Sequence, residues 1–138
     1  VSQVPGVRLI SLQKNFGLEQ LQDLPFGMSV DVPGDRFDDG PDAFVDSAAL
    51  LENLDLVIAP DTSITHLAGA LGRPAWLALT HVPDWRWMLD RSDSPWYPSL
   101  RLFRQERIDD WDPVFEAMAS ALSERVRERG ISHPRGRP

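Results

Sequence analysis

The stretch from Leu54 to Leu79, LDLVIAPDTSITHLAGALGRPAWLAL, restricts the fold more than any other part of the chain. Leu56-Val57-Ile58-Ala59 is a short unbroken apolar run, the pattern of a strand buried on both faces. Pro60 ends it and Asp61 follows. Ile64, Leu67, Ala68 and Leu71 then recur at i, i+3, i+4 and i+7, one face of a helix. Gly72 and Pro74 stop that helix in the usual order. Ala75–Leu79 is a second apolar strand. Strand, helix and strand with tight joints predict a βαβ unit, with parallel strands and a right-handed crossover.

The first joint carries the chemistry. Asp61-Thr62-Ser63-Ile64-Thr65 opens the helix just beyond the carboxyl end of a buried strand. The first amides of a helix lack internal partners and carry the positive end of its dipole. A phosphate can bind there without a lysine, and Thr62, Ser63 and Thr65 add hydroxyls at the same mouth. Parallel sheets bind ligands outside the carboxyl ends of their strands. A second reading stands beside this one: Asp61 simply caps the helix. His66 falls one turn in, off the apolar stripe. A neutral His66 can hydrogen-bond a ligand or lock a neighbouring loop. As a base it lacks an orienting carboxylate visible in the sequence. Gly69 sits mid-helix, where close packing of helix on sheet accounts for it.

The remaining chain repeats this texture. Val7–Leu12 reads as a strand after a Pro5-Gly6 turn, and Gly17–Leu24 as a short helix with Leu18, Leu21 and Leu24 on one face. Met28–Val32 is a weaker strand. Asp35–Asp42 reads as a solvated acidic loop, and no metal site is expected in it. Ala43–Asn53 is helical, with Phe44, Ala48 and Leu51 inward. Thr80–Ser99 is a long loop holding Trp85, Trp87 and Trp96, with one helical turn at Asp84–Leu89. Such loops are often functional; the alternative is that its aromatics only pack it onto the sheet. Leu100–Phe103 is the last strand. Asp109–Arg129 is a helix with Trp111, Val114, Phe115, Met118 and Leu122 on its buried stripe. Five strands and four crossovers predict the α/β class, with a doubly wound, mostly parallel, Rossmann-like sheet. One domain is expected over residues 1–129, followed by a disordered basic tail, Gly130–Pro138.

Lys14, at the carboxyl end of the first strand, lies on the rim predicted for Asp61–His66. It can act as a point charge for a diphosphate, or be an ordinary solvated lysine. Glu19 can accept ribose hydroxyls or complement its helix dipole. A net charge of −7 argues against nucleic acid or anionic membrane as the main partner. No apolar run approaches the ~20 residues of a membrane span. Cysteine is absent, which fits a reducing, cytoplasmic compartment. No signal-peptide pattern is visible, and the start at Val1 without Met predicts a fragment of a longer chain. The patterns GxGxxG, GxxxxGKS/T, HExxH and GxSxG are absent, so hydride transfer, ATP hydrolysis of that type, zinc proteolysis and serine hydrolysis lose their usual support.

Asp61-Thr62-Ser63 through His66-Leu67-Ala68-Gly69-Ala70-Leu71-Gly72-Arg73-Pro74 resembles the nucleotide-sugar motif of GT-B glycosyltransferases of the heptosyltransferase-like family 9. Asp84-Trp85-Arg86-Trp87, Asp93-Ser94-Pro95-Trp96-Tyr97-Pro98, Arg101–Gln105 and Ser11–Lys14 are similar to one branch. That branch is the C-terminal domain of bacterial tetratricopeptide-repeat proteins carrying a glycosyltransferase module. The resemblance implies a nucleotide-diphospho-sugar donor. Thr62 and Ser63 would meet the diphosphate, and Asp61 the donor sugar or the loop itself. Glu19 would lie near the ribose and Val32-Pro33 near the base. No cofactor or essential metal is implied, and an inverting displacement would use a base from an upstream acceptor half. In the family this domain opens with a further strand and helix, absent before Val1. The resemblance therefore implies a sheet truncated at its N-terminal strand, whose edges invite pairing with another chain. Two other functions stay open: a catalytically silent scaffold attached to the repeats, and an epimerase-type enzyme acting on nucleotide sugars.

Overall fold

A computed structural model describes residues 2–14 and 16–132 of the chain. It falls into two compact units, one of residues up to Asp35 with those from Phe115 onward, the other from Arg36 to Val114. The class is α/β, with helices and parallel sheets in a Rossmann-like arrangement. The expected single sheet of five strands is instead two ladders, one in each unit.

In the first unit, β1 (Leu9–Ile10) pairs in parallel with β2 (Val30–Asp31), and the Ser11 amide extends the ladder to the Asp31 carbonyl at 2.8 Å. Both strands are shorter than the runs predicted around them. A two-stranded ladder with no fully buried position has little side-chain packing to extend it. The predicted helix over Gly17–Leu24 is a 3-10 turn, Leu18–Gln22, with no buried residue. Gly17 enters it at φ +84°, which suits glycine, and Pro25 follows too soon for a full α-helix.

The second unit is built on β3 (Val57–Pro60), β4 (Ala75–Leu79) and β5 (Leu100–Arg104). They pair in parallel in the order β3-β4-β5, with Val57 opposite Ala75 and Ala75 opposite Leu100. All five residues of β4 are buried, because it lies between two strands; β3, expected to be buried on both faces, is an outer strand of this ladder and leaves Ile58 and Pro60 exposed. On one face Trp76 and Phe103 meet at 5.2 Å between ring centroids, and the Arg101 guanidinium covers Phe103 at 4.7 Å. The outer edge of β5 is covered by its own loop: the Leu102 amide donates to the Ser92 carbonyl at 2.7 Å, and Asp93 bridges Arg101.

Helix α1 (Val45–Asn53) buries Ser47 and Leu51. Phe44 was expected inward but is the N-cap, at φ +69°, and stays substantially exposed. The amides behind it are taken by the acidic loop. Asp38 accepts from the Asp46 amide at 3.0 Å, the Ser47 amide at 3.3 Å and the Ser47 hydroxyl. The Asp38 amide donates back to Asp46 at 2.9 Å. The loop read as merely solvated thus supplies the cap of α1, a carboxylate on the positive helix end.

Helix α2 (Ser63–Ala70) packs on β3, β4 and α1. Its buried face is Thr65, Ala68 and Gly69, rotated from the predicted stripe, and Leu71 is over a third exposed. Small residues let the helix approach its neighbours closely, so they take the inner face ahead of larger apolar ones. Gly72, at φ +65°, ends it as predicted: its amide reaches the Gly69 carbonyl at 3.1 Å and the Arg73 amide the Ala68 carbonyl at 2.8 Å. Helix α3 (Asp112–Ser132) buries Val114, Met118, Ala121 and Leu122. Two residues of its predicted stripe fall elsewhere: Trp111 precedes the helix, and Phe115 is largely exposed. The helix continues through Gly130; positions 133–138 of the predicted tail lie outside the described residues. Among the described residues, no helix is long and apolar enough to cross a membrane.

Leu77, fully buried in the central strand, is the test of this core. Leu77→Ala is expected to lower unfolding free energy by about 2–5 kcal/mol in a urea titration.

Candidate functional site

The β3–α2 corner has the predicted form with one change of roles. The N-cap of α2 is Thr62, in extended conformation (φ −138°, ψ 170°), and its side chain makes no capping hydrogen bond. Asp61 stands one residue earlier, so the reading in which Asp61 caps the helix does not describe this corner. Asp61, Thr62 and Ser63 are exposed, while Thr65 is buried. The Thr65 hydroxyl donates to the Pro60 carbonyl at 2.8 Å, and its amide to the Thr62 carbonyl at 3.1 Å. Its one hydroxyl proton is therefore committed to closing the strand-to-helix joint. Thr62 and Ser63 are exposed beside the Ser63 and Ile64 amides, which precede the first acceptor the helix can offer.

His66 projects from the same turn of α2. Its Nε2 lies 3.6 Å from Asp61 Oδ1, an ion-pair distance rather than a direct hydrogen bond. Its Nδ1 lies 3.2 Å from the Tyr97 hydroxyl. The tautomer with its proton on Nε2 accepts from Tyr97 at Nδ1 and turns its N–H toward the Asp61 carboxylate without a direct bond. The carboxylate facing His66 is Asp61, brought round by the strand-to-helix turn. The imidazole also stacks on Trp87, centroids 5.4 Å apart at 29°.

The loop after β4 forms the other wall. Gln105, itself buried, ties its start: the Gln105 amide donates to the Leu79 carbonyl at 3.0 Å and its side-chain oxygen accepts from the His81 amide at 3.1 Å. A short 3-10 turn, Trp85–Trp87, is capped by Asp84, which accepts from the Arg86 amide at 3.0 Å. Buried Ser94 accepts from the Trp96 and Tyr97 amides at 3.2 and 3.3 Å. The Trp96 indole N–H donates to the Arg86 carbonyl at 3.1 Å. His66, Trp85, Arg86, Trp87, Trp96 and Tyr97 line a cavity of about 310 Å³. The packing account of this loop describes Trp87, which is fully buried. It does not describe Trp85 and Trp96, which are 71% and 55% exposed.

Gly69 is explained by Tyr97 rather than by the sheet. A Cβ at position 69 would lie 2.5 Å from Tyr97 Cγ and 2.6 Å from Cδ1. Only glycine lets that ring rest on the helix. The sequence carried partial signals for this wall, in its tryptophan and proline density and the mid-helix glycine. Nothing in it paired Tyr97 with Gly69 or set Arg86 beside His66. Lys14 and Glu19 lie in the first unit, Lys14 past β1 and Glu19 in the 3-10 turn, and both are exposed.

Two outcomes follow. Gly69→Ala gains roughly 1 kcal/mol of helix propensity, but displacing the Tyr97 ring costs about 1–3 kcal/mol. The net expectation is a lower urea midpoint with altered His66 ring resonances. The second concerns Arg91 and Asp93, joined by a two-pronged contact at 2.7 Å on both arms. The hydrogen bond from Arg91 holds the Asp93 carboxyl below the usual range. What that fork contributes is complete above the ordinary Asp range and is lost as pH falls through the lowered Asp93 value. Carboxyl resonances should show Asp93 titrating below a model aspartate; a value at or above it contradicts the fork.

Comparison with known proteins bears on the same segment. Residues 41–79 match the sequence model of glycosyltransferase family 9 (heptosyltransferase). The matched stretch contains α1, β3, α2 and β4, with the whole Asp61–His66 corner. Protein FlbA of Caulobacter vibrioides is 33% identical over 122 residues, which cover 88% of this chain and 20% of FlbA. The chain thus spans about a fifth of that relative's length. No solved structure matches it significantly. The family match supports a glycosyltransferase-like, transferase-type domain, a class that implies a sugar donor and an acceptor.

Proposed function

We propose that the chain is the donor-binding portion of an inverting GT-B glycosyltransferase that takes a nucleotide-diphospho-sugar. The observation that carries this is the β3–α2 corner: a helix N-terminus at the carboxyl end of a parallel strand, with the Thr62 hydroxyl unused in capping and Ser63 exposed beside it. In the reaction an acceptor oxygen forms a bond to the anomeric carbon as the bond from that carbon to the diphosphate oxygen breaks. Negative charge grows on the departing diphosphate. The Thr62 and Ser63 hydroxyls, the first-turn amides and the helix dipole stabilise it in place. Asp61 and His66 flank that position, while Thr65 holds the joint from inside.

The acceptor half, the catalytic base and any tetratricopeptide repeats belong to the rest of a longer cytoplasmic protein in this reading. On the resemblance alone, it extends to Lys14 at the diphosphate and Glu19 at the ribose. Calorimetric titration with a panel of nucleoside diphosphates and their sugars is the test. At least one ligand should bind, and Thr62→Val with Ser63→Ala should weaken it more than about tenfold, since hydrogen bonds to charged groups are worth ~1.5–3 kcal/mol each. Silence across the panel removes the donor reading and favours a scaffold. Unchanged affinity in the double variant moves the diphosphate away from this corner.

A further inference from the structure

We infer that the aromatic cavity beside His66 is a carbohydrate subsite, in which Trp85 and Trp96 receive the C–H face of a pyranose ring. Trp85 and Trp96 are large apolar side chains left 71% and 55% exposed, yet neither is loosely held. The Trp96 ring is fixed by its N–H bond to the Arg86 carbonyl at 3.1 Å. Trp85 lies under the Arg86 guanidinium, 5.6 Å from the ring centroid. The backbone beneath both is tied by Asp84 and by buried Ser94. Rigid aromatic rings presented to a cavity already have their orientation set before a ligand arrives. The volume, about 310 Å³, falls at the lower end of small-ligand pockets.

The geometry of the walls selects the ligand. Trp85 and Trp96 meet at 87° with centroids 6.4 Å apart. Perpendicular rings form a corner, not a slot. A planar nucleobase gains most between parallel faces, which this pair does not offer. A pyranose is thick, with polarised C–H bonds on one face and hydroxyls round its rim. Its C–H face suits the negative face of one indole while the other ring closes the side. The rim hydroxyls then find polar partners among the remaining lining groups, the Arg86 guanidinium and the His66–Tyr97 pair. Because His66 also stands 3.6 Å from Asp61, this cavity adjoins the proposed diphosphate corner. The subsite does not depend on the donor reading, since the ring it holds can belong to a free glycan or to a nucleotide sugar.

The test follows the indole proton–nitrogen resonances of the full chain during three titrations: methyl glycosides of hexoses and N-acetylhexosamines, sugar-free nucleoside diphosphates, and nucleotide sugars. The expected result is movement of the Trp85 and Trp96 indoles with methyl glycosides, or with nucleotide sugars and not their sugar-free counterparts. The first pattern identifies a free glycan and the second a donor sugar. Trp85→Ala and Trp96→Ala should each weaken that binding about five- to tenfold, as expected for one lost aromatic contact. Both sites are exposed, and an unchanged thermal midpoint confirms that each variant folds. The inference is overturned if no glycoside or nucleotide sugar moves these resonances, if sugar-free nucleotides move them equally, or if both variants bind as before. Nucleotide-sugar binding with indoles silent to it and to every glycoside sinks this subsite alone, whereas glycoside binding without any nucleotide affinity sinks the donor reading alone.

Discussion

The second unit depends on the Tyr97 side chain resting against α2 where Gly69 leaves no Cβ. That approach sets where the long loop after β4 returns to the sheet. With Tyr97 seated, its hydroxyl meets His66 Nδ1, and Ser94 gathers the turn just before it. Trp87 then closes over His66 with no exposed surface. A loop of this length would ordinarily be the least ordered part of a small domain. Here hydrogen bonds and stacked rings make it one wall of a cavity, and a single missing methyl in a helix makes that wall fit.

The corner beneath is held from inside by Thr65. Its hydroxyl closes on the last carbonyl of β3, so the strand hands over to the helix within two residues. The hydroxyls of Thr62 and Ser63 remain at the surface, next to amides that the helix cannot satisfy. Among three neighbouring hydroxyl residues, one is thus spent on a structural bond while the other two stay exposed. Asp61, displaced from the capping role, serves instead as the carboxylate opposite His66. These features all fall within the segment matched to glycosyltransferase family 9.

Much of this was legible in the residues themselves. The apolar run of Ala75–Leu79 predicts a strand, and β4 has those bounds; the burial on both faces expected of Leu56–Ala59 is not found in β3, where Ile58 and Pro60 are exposed. Gly72 predicts the end of α2 and supplies its left-handed turn. Such features depend on local backbone preference and hydrophobic period, which a sequence displays directly. Where reading failed, a contact distant in sequence had intervened. The inner face of α2 went to Thr65, Ala68 and Gly69 because close approach favours small side chains. Phe44 turned outward because Asp38, in a loop read as solvated, took the amides of α1.

The sequence by itself determined the α/β class, the parallel βαβ unit and the presence of a helix end with exposed hydroxyls beyond β3, because each rests on residues within a few positions of one another. Tertiary structure alone decided that the strands divide into two ladders, that Asp61 faces His66, and that Trp85 and Trp96 stand at right angles over a cavity. The ladders follow from which strands pair, and Asp61 meets His66 through the turn between β3 and α2, while the tryptophan corner depends on where a twenty-residue loop lands, settled by packing between residues nearly thirty positions apart, as with Gly69 and Tyr97.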